Sequence, residues 1–343
     1  MLLENSPQPS EPTQSSMPTM ATVLPVRNRR HHTLAILRQL SEQSQQQAMP
    51  LQIVVVDDAS TDGTPDLIKA EFPQVHLLAG DGHLWWTGAI AQGMQYAVEQ
   101  LASDYIVWLN DDITLADDFL LQLLKVCQAN SGQKVITGGI VRAQSHPDWV
   151  VYGGVLNSRP INSMAQFATE PTLKVHTLNG NIAVFPALLV KEIGLPNVER
   201  FRHYGGDYEY ICRARTKGYQ IRLSSNLQAT TDFQVADVQR HMPLWLQWYL
   251  SPDWSAKRQV FQQLTNLKSP QNVQHMVNSI YRDRPSVPRW KYLVFYLRKV
   301  VKLLLSELTP GHIQHQRATE YLQQQNVPEA IAGKILSQRP VKP

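Results

Sequence analysis

The stretch LQIVVVDDASTDGT, residues 51–64, decides how the rest of the chain reads. Ile53 to Val56 is an unbroken β-branched run with no polar side, the pattern of a strand buried on both faces in a parallel sheet. Asp57 and Asp58 follow it directly. Asp62-Gly63 then has the chemistry of a turn, and Ser60 or Thr61 is placed to cap a following helix. A buried strand, two acids at its carboxyl end and a turn into a helix make one unit of an alternating α/β domain.

The unit recurs on both sides. ATVLPV (21–26) is an apolar strand upstream, and between the two strands Thr33 to Gln47 carries Leu34, Leu37 and Leu40 at helical spacing. Downstream, VHLLAG (75–80), YIVWLN (105–110) and KVITGGIV (134–141) read as strands, separated by helix-like segments over 88–102 and 116–129. The pattern predicts an α/β fold with a mostly parallel, Rossmann-like sheet flanked by helices. Such sheets bind ligands beyond the carboxyl ends of their strands, so chemistry is to be sought there.

Composition sets the bounds. The chain has 343 residues, 43% of them hydrophobic and 17% charged, which excludes wholesale disorder and leaves enough length for a sizeable core. Cys127 and Cys212 lie in helix-like stretches and read as buried free thiols, a usage that fits a reducing, cytoplasmic compartment. The net charge of +4 is unevenly spread. Residues 1–20, rich in Ser, Pro and Gln, read as a flexible leader with two acidic and no basic side chains. Residues 21–240 carry 18 basic and 21 acidic residues, and residues 241–343 carry 14 and 5, a net +9. A basic tail on a slightly acidic body argues against a nucleic-acid-binding protein. No segment reaches the roughly 18 apolar residues that a spanning helix needs.

YIVWLN ends in a second polar cluster, Asn110-Asp111-Asp112. Turn or helix-cap chemistry would account for either cluster alone. Two clusters at two parallel strand ends converge on one crevice, and the charge gathered there needs a counter-ion. All-oxygen ligands suit Mg2+ or Mn2+, usually shared with substrate phosphates.

PVRNR (25–29), VVVDDASTDGT (54–64), LNDDI (109–113) and GGDYEYICRARTKGY (205–219) resemble the ordered motifs of family 2 glycosyltransferases. The likeness covers roughly residues 21–235, and GHLWWTGAIAQG (82–93) and LNGNIAVFP (178–186) resemble a bacterial rhamnosyltransferase-like subgroup of polysaccharide-assembling, cell-envelope enzymes. It implies a GT-A fold over 21–240, followed by a basic helical C-terminal extension over 241–343. It also implies transfer of a sugar from a nucleoside-diphosphate donor (UDP-, dTDP- or GDP-linked) to a saccharide or lipid-linked saccharide hydroxyl.

Roles follow residue by residue. Asp57 and Asp58 match the acids that contact base and ribose. Pro25 lies in the loop under the base, where Arg27 replaces the aromatic residue common in the family. Arg27 or Arg29 could meet phosphate, and a plain surface arginine accounts for either as well. Asn110-Asp111-Asp112 matches the metal-binding motif, with Asp112 holding the cation and Asn110 standing where the first acid usually is. Asn28, Trp86, Gly88, Asn110, Asp111, Asn179 and Asn181 fall among the nucleotide-sugar positions. Adjacent Trp85 and Trp86, read as strand residues, cannot face the same way, so at least one belongs to the core.

Gly206-Asp207 matches the motif that supplies the catalytic base, with Asp207 in the base position and Glu209 as the supporting acid. Capping of a helix beginning at Tyr208 is the plain alternative for Asp207. His241 is placed where some GT-A enzymes carry a third metal ligand. A nucleotidyltransferase of related fold and a non-catalytic nucleotide-sugar-binding protein are the rival readings. PVRNRRHH lacks the glycine-rich first loop of the former.

In the tail, LWLQWYLS (244–251) and RWKYLVFYLRKVVKLLLSEL (289–308) are apolar and helical. The second interleaves Trp290, Leu293, Leu297, Val300, Val301 and Leu304 with five basic side chains. It reads either as an interfacial helix on the anionic inner face of a membrane or as a helix packed on the body with a solvated basic face.

Overall fold

The computed structural model describes residues 17–284 and 286–338. Most of the expected leader lies outside these residues. At its end, Thr19 is held by the Asp104 carboxylate at 2.8 Å.

The first half alternates strictly: β1 (Met20–Val26), α1 (Arg30–Gln46), β2 (Gln52–Asp57), α2 (Thr64–Glu71), β3 (His76–Ala79), α3 (Trp85–Glu99) and β4 (Tyr105–Leu109). These strands lie in the order β3-β2-β1-β4, all parallel. β4 is buried along its whole length, and β1 and β2 along nearly all of theirs, which is why their sequences are apolar without alternation.

The second half is more irregular. It runs through β5 (Thr114–Leu115), α4 (Phe119–Ala129), β6 (Val135–Ala143), β7 (His146–Tyr152), β8 (Gly154–Leu156), β9 (Arg159–Pro160), β10 (Thr172–Lys174), β11 (Thr177–Leu178) and β12 (Ile182–Pro186). α5 (Leu188–Ile193), α6 (Gly206–Thr216) and β13 (Gln220–Thr231) complete the body. β12 inserts antiparallel between β4 and β6, and β13 runs parallel to β6 on its far side. The sheet is therefore parallel at one end and mixed at the other.

The pleat sends Val55 and Val107 to one face of the sheet and Val54, Val56, Ile106 and Trp108 to the other. α1, α2 and α4 cover the first face; α3, α5 and α6 cover the second.

Three expectations need correction. The two tryptophans open helix α3 rather than lying on a strand. Neither Ser60 nor Thr61 caps α2; the N-cap is Gly63 at φ +84°, and the Asp62 carboxylate before it accepts from the Thr64 amide at 3.1 Å and its hydroxyl at 2.5 Å. α6 begins at Gly206, after Gly205 at φ +85°, so Asp207 sits inside its first turn.

The chain continues through α7 (Val235–His241), α8 (Leu244–Leu250), α9 (Trp254–Gln263), α10 (Val273–Ile280), α11 (Arg289–Ser306), α12 (Gly311–Gln324) and α13 (Glu329–Leu336). α7, α8, α12 and α13 share a core with Ala143, Trp149 and Phe233 of the body. A second core joins α8 to α11 around Trp248, Val277 and Leu303. The helical region thus packs on β6 and β7 rather than standing apart. Cys127 and Cys212 are both buried and free.

Candidate active site

Asp57 ends β2 and Asp58 begins the loop after it; both are buried. Asp57 accepts the Ser60 amide at 2.9 Å with one oxygen, while its Oδ1 is buried with no hydrogen-bond partner among the described residues. Asp58 has almost nothing left to offer a ligand. Its carboxylate accepts the amides of Gly82 (2.7 Å), Leu84 (3.2 Å) and Trp85 (3.0 Å), with Arg27 at 3.5 Å. The 80–85 loop is wound around that carboxylate. Gly82 at φ +84° suits the winding, and Trp85 at φ +58° is strained by it, a conformation that costs a bulky side chain on the order of 1–3 kcal/mol. Asn28 serves a similar purpose, accepting the Thr61 amide at 2.7 Å and donating its own to Ser60 Oγ at 2.7 Å. Pro25 is half-buried at the end of β1, and Arg27 is exposed, with its guanidinium on the Gly82 carbonyl.

The second cluster is organised by a residue that the sequence left undecided. Arg29 bridges both acids, Nε to Asp111 Oδ1 at 3.1 Å and Nη2 to Asp112 Oδ2 at 3.0 Å. Asp111 is buried and also accepts the Thr33 hydroxyl at 3.0 Å. Burial pushes its carboxyl up to about 6, with Asp112 adding to the rise and Arg29 and Thr33 opposing it. At Arg29, burial disfavours the charge, but Asp111 and Asp112 outweigh it and hold the guanidinium above its ordinary value.

Asn110 does not present a free oxygen to a metal: its carboxamide accepts Trp86 Nε1 at 3.0 Å and donates to Asn181 Oδ1 at 2.6 Å. Among the described residues, no group of three or more His, Cys, Asp or Glu side chains could hold an ion. Asp112 Oδ1, however, is buried and unpartnered. A hard cation that takes one carboxylate and completes its shell with phosphate oxygens and water fits that single oxygen.

The third cluster links to the second through a chain of amides. Trp86 donates to Asn110, Asn110 to Asn181, Asn181 to Asn179 Oδ1 at 3.0 Å, and Asn179 to the Gly153 carbonyl at 2.6 Å. Asn179 and Asn181 are thus spent on positioning one another. Gly180 lies between them, and its amide donates to Asp207 Oδ2 at 2.9 Å. The Tyr208 amide donates to Asp207 Oδ1 at 2.8 Å. Burial nevertheless dominates and raises the Asp207 carboxyl above its ordinary range, against these backbone donors. Glu209 points elsewhere. It forms a two-pronged pair with Arg213 (2.7 and 3.2 Å), which also reaches the carbonyls of Ile193 and Leu195. It anchors the helix that carries Asp207 and does not face the cleft. Gly88 is buried in α3 behind Leu84, and a Cβ there would lie 3.2 Å from the Leu84 Cβ. Trp86 stands edge-on to Trp108 and against Gly180, where an added Cβ would come within 2.3 Å of its ring.

Asp207 opens onto a cleft of about 410 Å³, which Tyr152, Tyr208, His241 and Tyr321 also line. Burial raises the Tyr152 hydroxyl, and the Asp112 and Asp237 carboxylates add to the rise. His241 is exposed, and its Nδ1 lies 2.9 Å from the Asp237 carbonyl. Asp57, Asp58 and Asp112 lie outside the lining. Sequence reasoning missed Gly180, Tyr152 and the wall supplied by α12. Gly180 sat inside a quoted motif, but only its contact with Asp207 gives it a role.

Residues 22–184 match the model of glycosyl transferase family 2. Undecaprenyl-phosphate 4-deoxy-4-formamido-L-arabinose transferase of Serratia proteamaculans (strain 568) is 29% identical over 158 residues, 45% of this chain and 45% of that relative. The match thus spans less than half of that relative's length. A mannosyltransferase from Pyrobaculum calidifontis, solved in complex with GDP-Man and Mn2+, aligns at a TM-score of 0.52 and 14% identity over 97% of this chain and 89% of that one. Residues 1–349 of S. aureus TarS align at 0.45 and 13% identity, over 91% and 93% of the two chains, too distant to carry weight.

Proposed function

From the premise that this chain belongs to the family 2 glycosyltransferases and has their GT-A fold, we propose that it transfers a sugar from a nucleoside diphosphate to a saccharide hydroxyl with inversion at the anomeric carbon. The observation that carries the reading is the placement of Asp207: one carboxylate, fixed by two backbone amides and raised by burial, lining a cleft of about 410 Å³ beside the Asn110–Asp112 cluster.

A sugar hydroxyl is a weak nucleophile, and a carboxylate within hydrogen-bond reach takes its proton as the new bond forms. A raised pKa makes that carboxylate a stronger base near neutral pH. With the base on the face opposite the leaving group, displacement is direct and the configuration inverts. Asp57 offers its unpartnered oxygen to the nucleoside. Arg29 is positioned to move from the acids to the diphosphate. Asp112 would hold Mg2+ or Mn2+, which supplies positive charge against the departing diphosphate. The solved mannosyltransferase carries Mn2+ and GDP-Man, and the Serratia relative is named for undecaprenyl phosphate. These support a metal-assisted reaction and a lipid-linked acceptor in cell-envelope polysaccharide assembly.

The test is a thermal-shift panel of UDP, GDP and dTDP with and without Mn2+. One nucleotide should stabilise the chain in a metal-dependent way, and Asp112→Ala should remove the metal dependence. A wild-type response to none of the nucleotides would sink the assignment.

A further inference from the structure

Among the described helices, α11 is the least covered, with one buried residue in 18. It packs through Leu303, with Tyr292, Phe295, Tyr296 and Val300 partly buried against α8 to α10. Its other side is apolar and open. Trp290, Leu293, Leu297, Val301 and Leu304 are exposed on it, and Leu308 just beyond is 81% exposed. Val294 and Leu305 fill the gaps at 53% and 58%. At about 100° per residue, all eight fall within an arc of about 120°. An open apolar stripe of this length needs a partner.

Charge selects the partner. The same helical geometry sets Lys291, Arg298 and Lys302 in a row along one edge of the stripe and Arg289 along the other. Arg289–Ser306 contains no Asp or Glu. Apposing two copies of this face would bring these cations together, which disfavours a second copy of the chain as the occupant. A surface apolar at depth and anionic at its edge satisfies both features, which is the arrangement of anionic lipid headgroups over acyl chains. No described helix is long and apolar enough to cross a bilayer.

We propose that α11 docks the protein flat on an anionic lipid surface. The eight apolar side chains enter the acyl boundary, and Lys291, Arg298 and Lys302 meet the headgroups. The proposal rests on α11 alone and does not depend on the transferase reading.

The experiment is flotation of the full chain with vesicles of phosphatidylcholine alone or mixed with phosphatidylglycerol, at low and high salt. The expected result is binding to the mixed vesicles at least ~tenfold above the neutral ones and weakened by salt. The pair Leu297→Glu with Val301→Glu should lose binding ~tenfold or more at unchanged Tm, since both side chains face solvent. Arg298→Glu with Lys302→Glu should erase the preference for phosphatidylglycerol. Three results would overturn the proposal: no binding of the wild type to either vesicle, full binding by the Leu297/Val301 variant, or a dimer in solution that this variant dissolves.

Discussion

At the scale of single residues, the acids in the two strand-end motifs divide the work unequally. Asp58 is consumed by three amides and a guanidinium, whereas Asp57 and Asp112 each keep one buried oxygen unpaired. Asp58→Ala should therefore disorder the 80–85 loop and release the strain at Trp85. Its signature would be a fall in Tm without ligand, measured against a smaller fall for Asp57→Asn. The Gly180 and Tyr208 amides fall on different oxygens of Asp207, so Asp207→Asn keeps one of these two contacts and loses the base; the substitution is local to α6 and should leave nucleotide affinity nearly intact. The acidic limb of the wild-type pH–rate profile should lie above the ordinary carboxylate pKa, because burial raises Asp207 and activity is lost as pH falls through that raised value.

At the scale of elements, the site depends on how α6 is fixed. Glu209 is buried and answered by Arg213, which in turn holds the end of α5 and the loop after it. Arg213→Met would strand a buried carboxylate and should lower stability by about 3–5 kcal/mol in urea titration. A much smaller effect would show that Glu209 is solvated instead. Gly180→Ala tests the neighbouring contact. Its Cβ would press on the Trp86 ring, which should cost about 1–3 kcal/mol and displace the amide that holds Asp207.

The parallel half of the sheet was legible because β1, β2 and β4 are buried on both faces and so lack polar alternation. IAVFP of β12 is equally apolar, but nothing in a short buried run reveals strand direction, so the antiparallel insertion was not. The motif acids were legible as a set. Whether each was free or already bonded was not, because deciding partners are distant in sequence: amides 24 to 27 positions away hold Asp58 and Asp207, and Arg29 pairs with Asp111 and Asp112. Helix α3 was read as starting three residues late because Trp85-Trp86 has no capping residue before it.

At the scale of the whole molecule, the uneven charge finds a structural place. The acidic body holds the clusters at its strand ends, and much of the basic excess lies on α11, which carries five basic and no acidic side chains. The contact between body and extension also carries a pH dependence. His203 meets Trp85 at 5.7 Å, and Tyr204 meets His275 at 6.1 Å. Burial, then His275 and Lys268, push His203 down to about 4, and burial lowers His275 as well. A depressed histidine favours the folded state above its unfolded value near 6.5, and that stability is lost as pH falls toward about 4. Tm should therefore drop across this window, and less steeply for His203→Gln.

The central claim is transfer by direct displacement with Asp207 as base. Its most direct test is the release of nucleoside diphosphate from the sugar nucleotide that the thermal-shift panel selects, supplied with saccharide acceptors, comparing wild type with Asp207→Asn. The account predicts nucleoside diphosphate from the wild type and none above background from the variant, at similar nucleotide affinity. Pyrophosphate release, binding without turnover by the wild type, or wild-type turnover by the variant would contradict it.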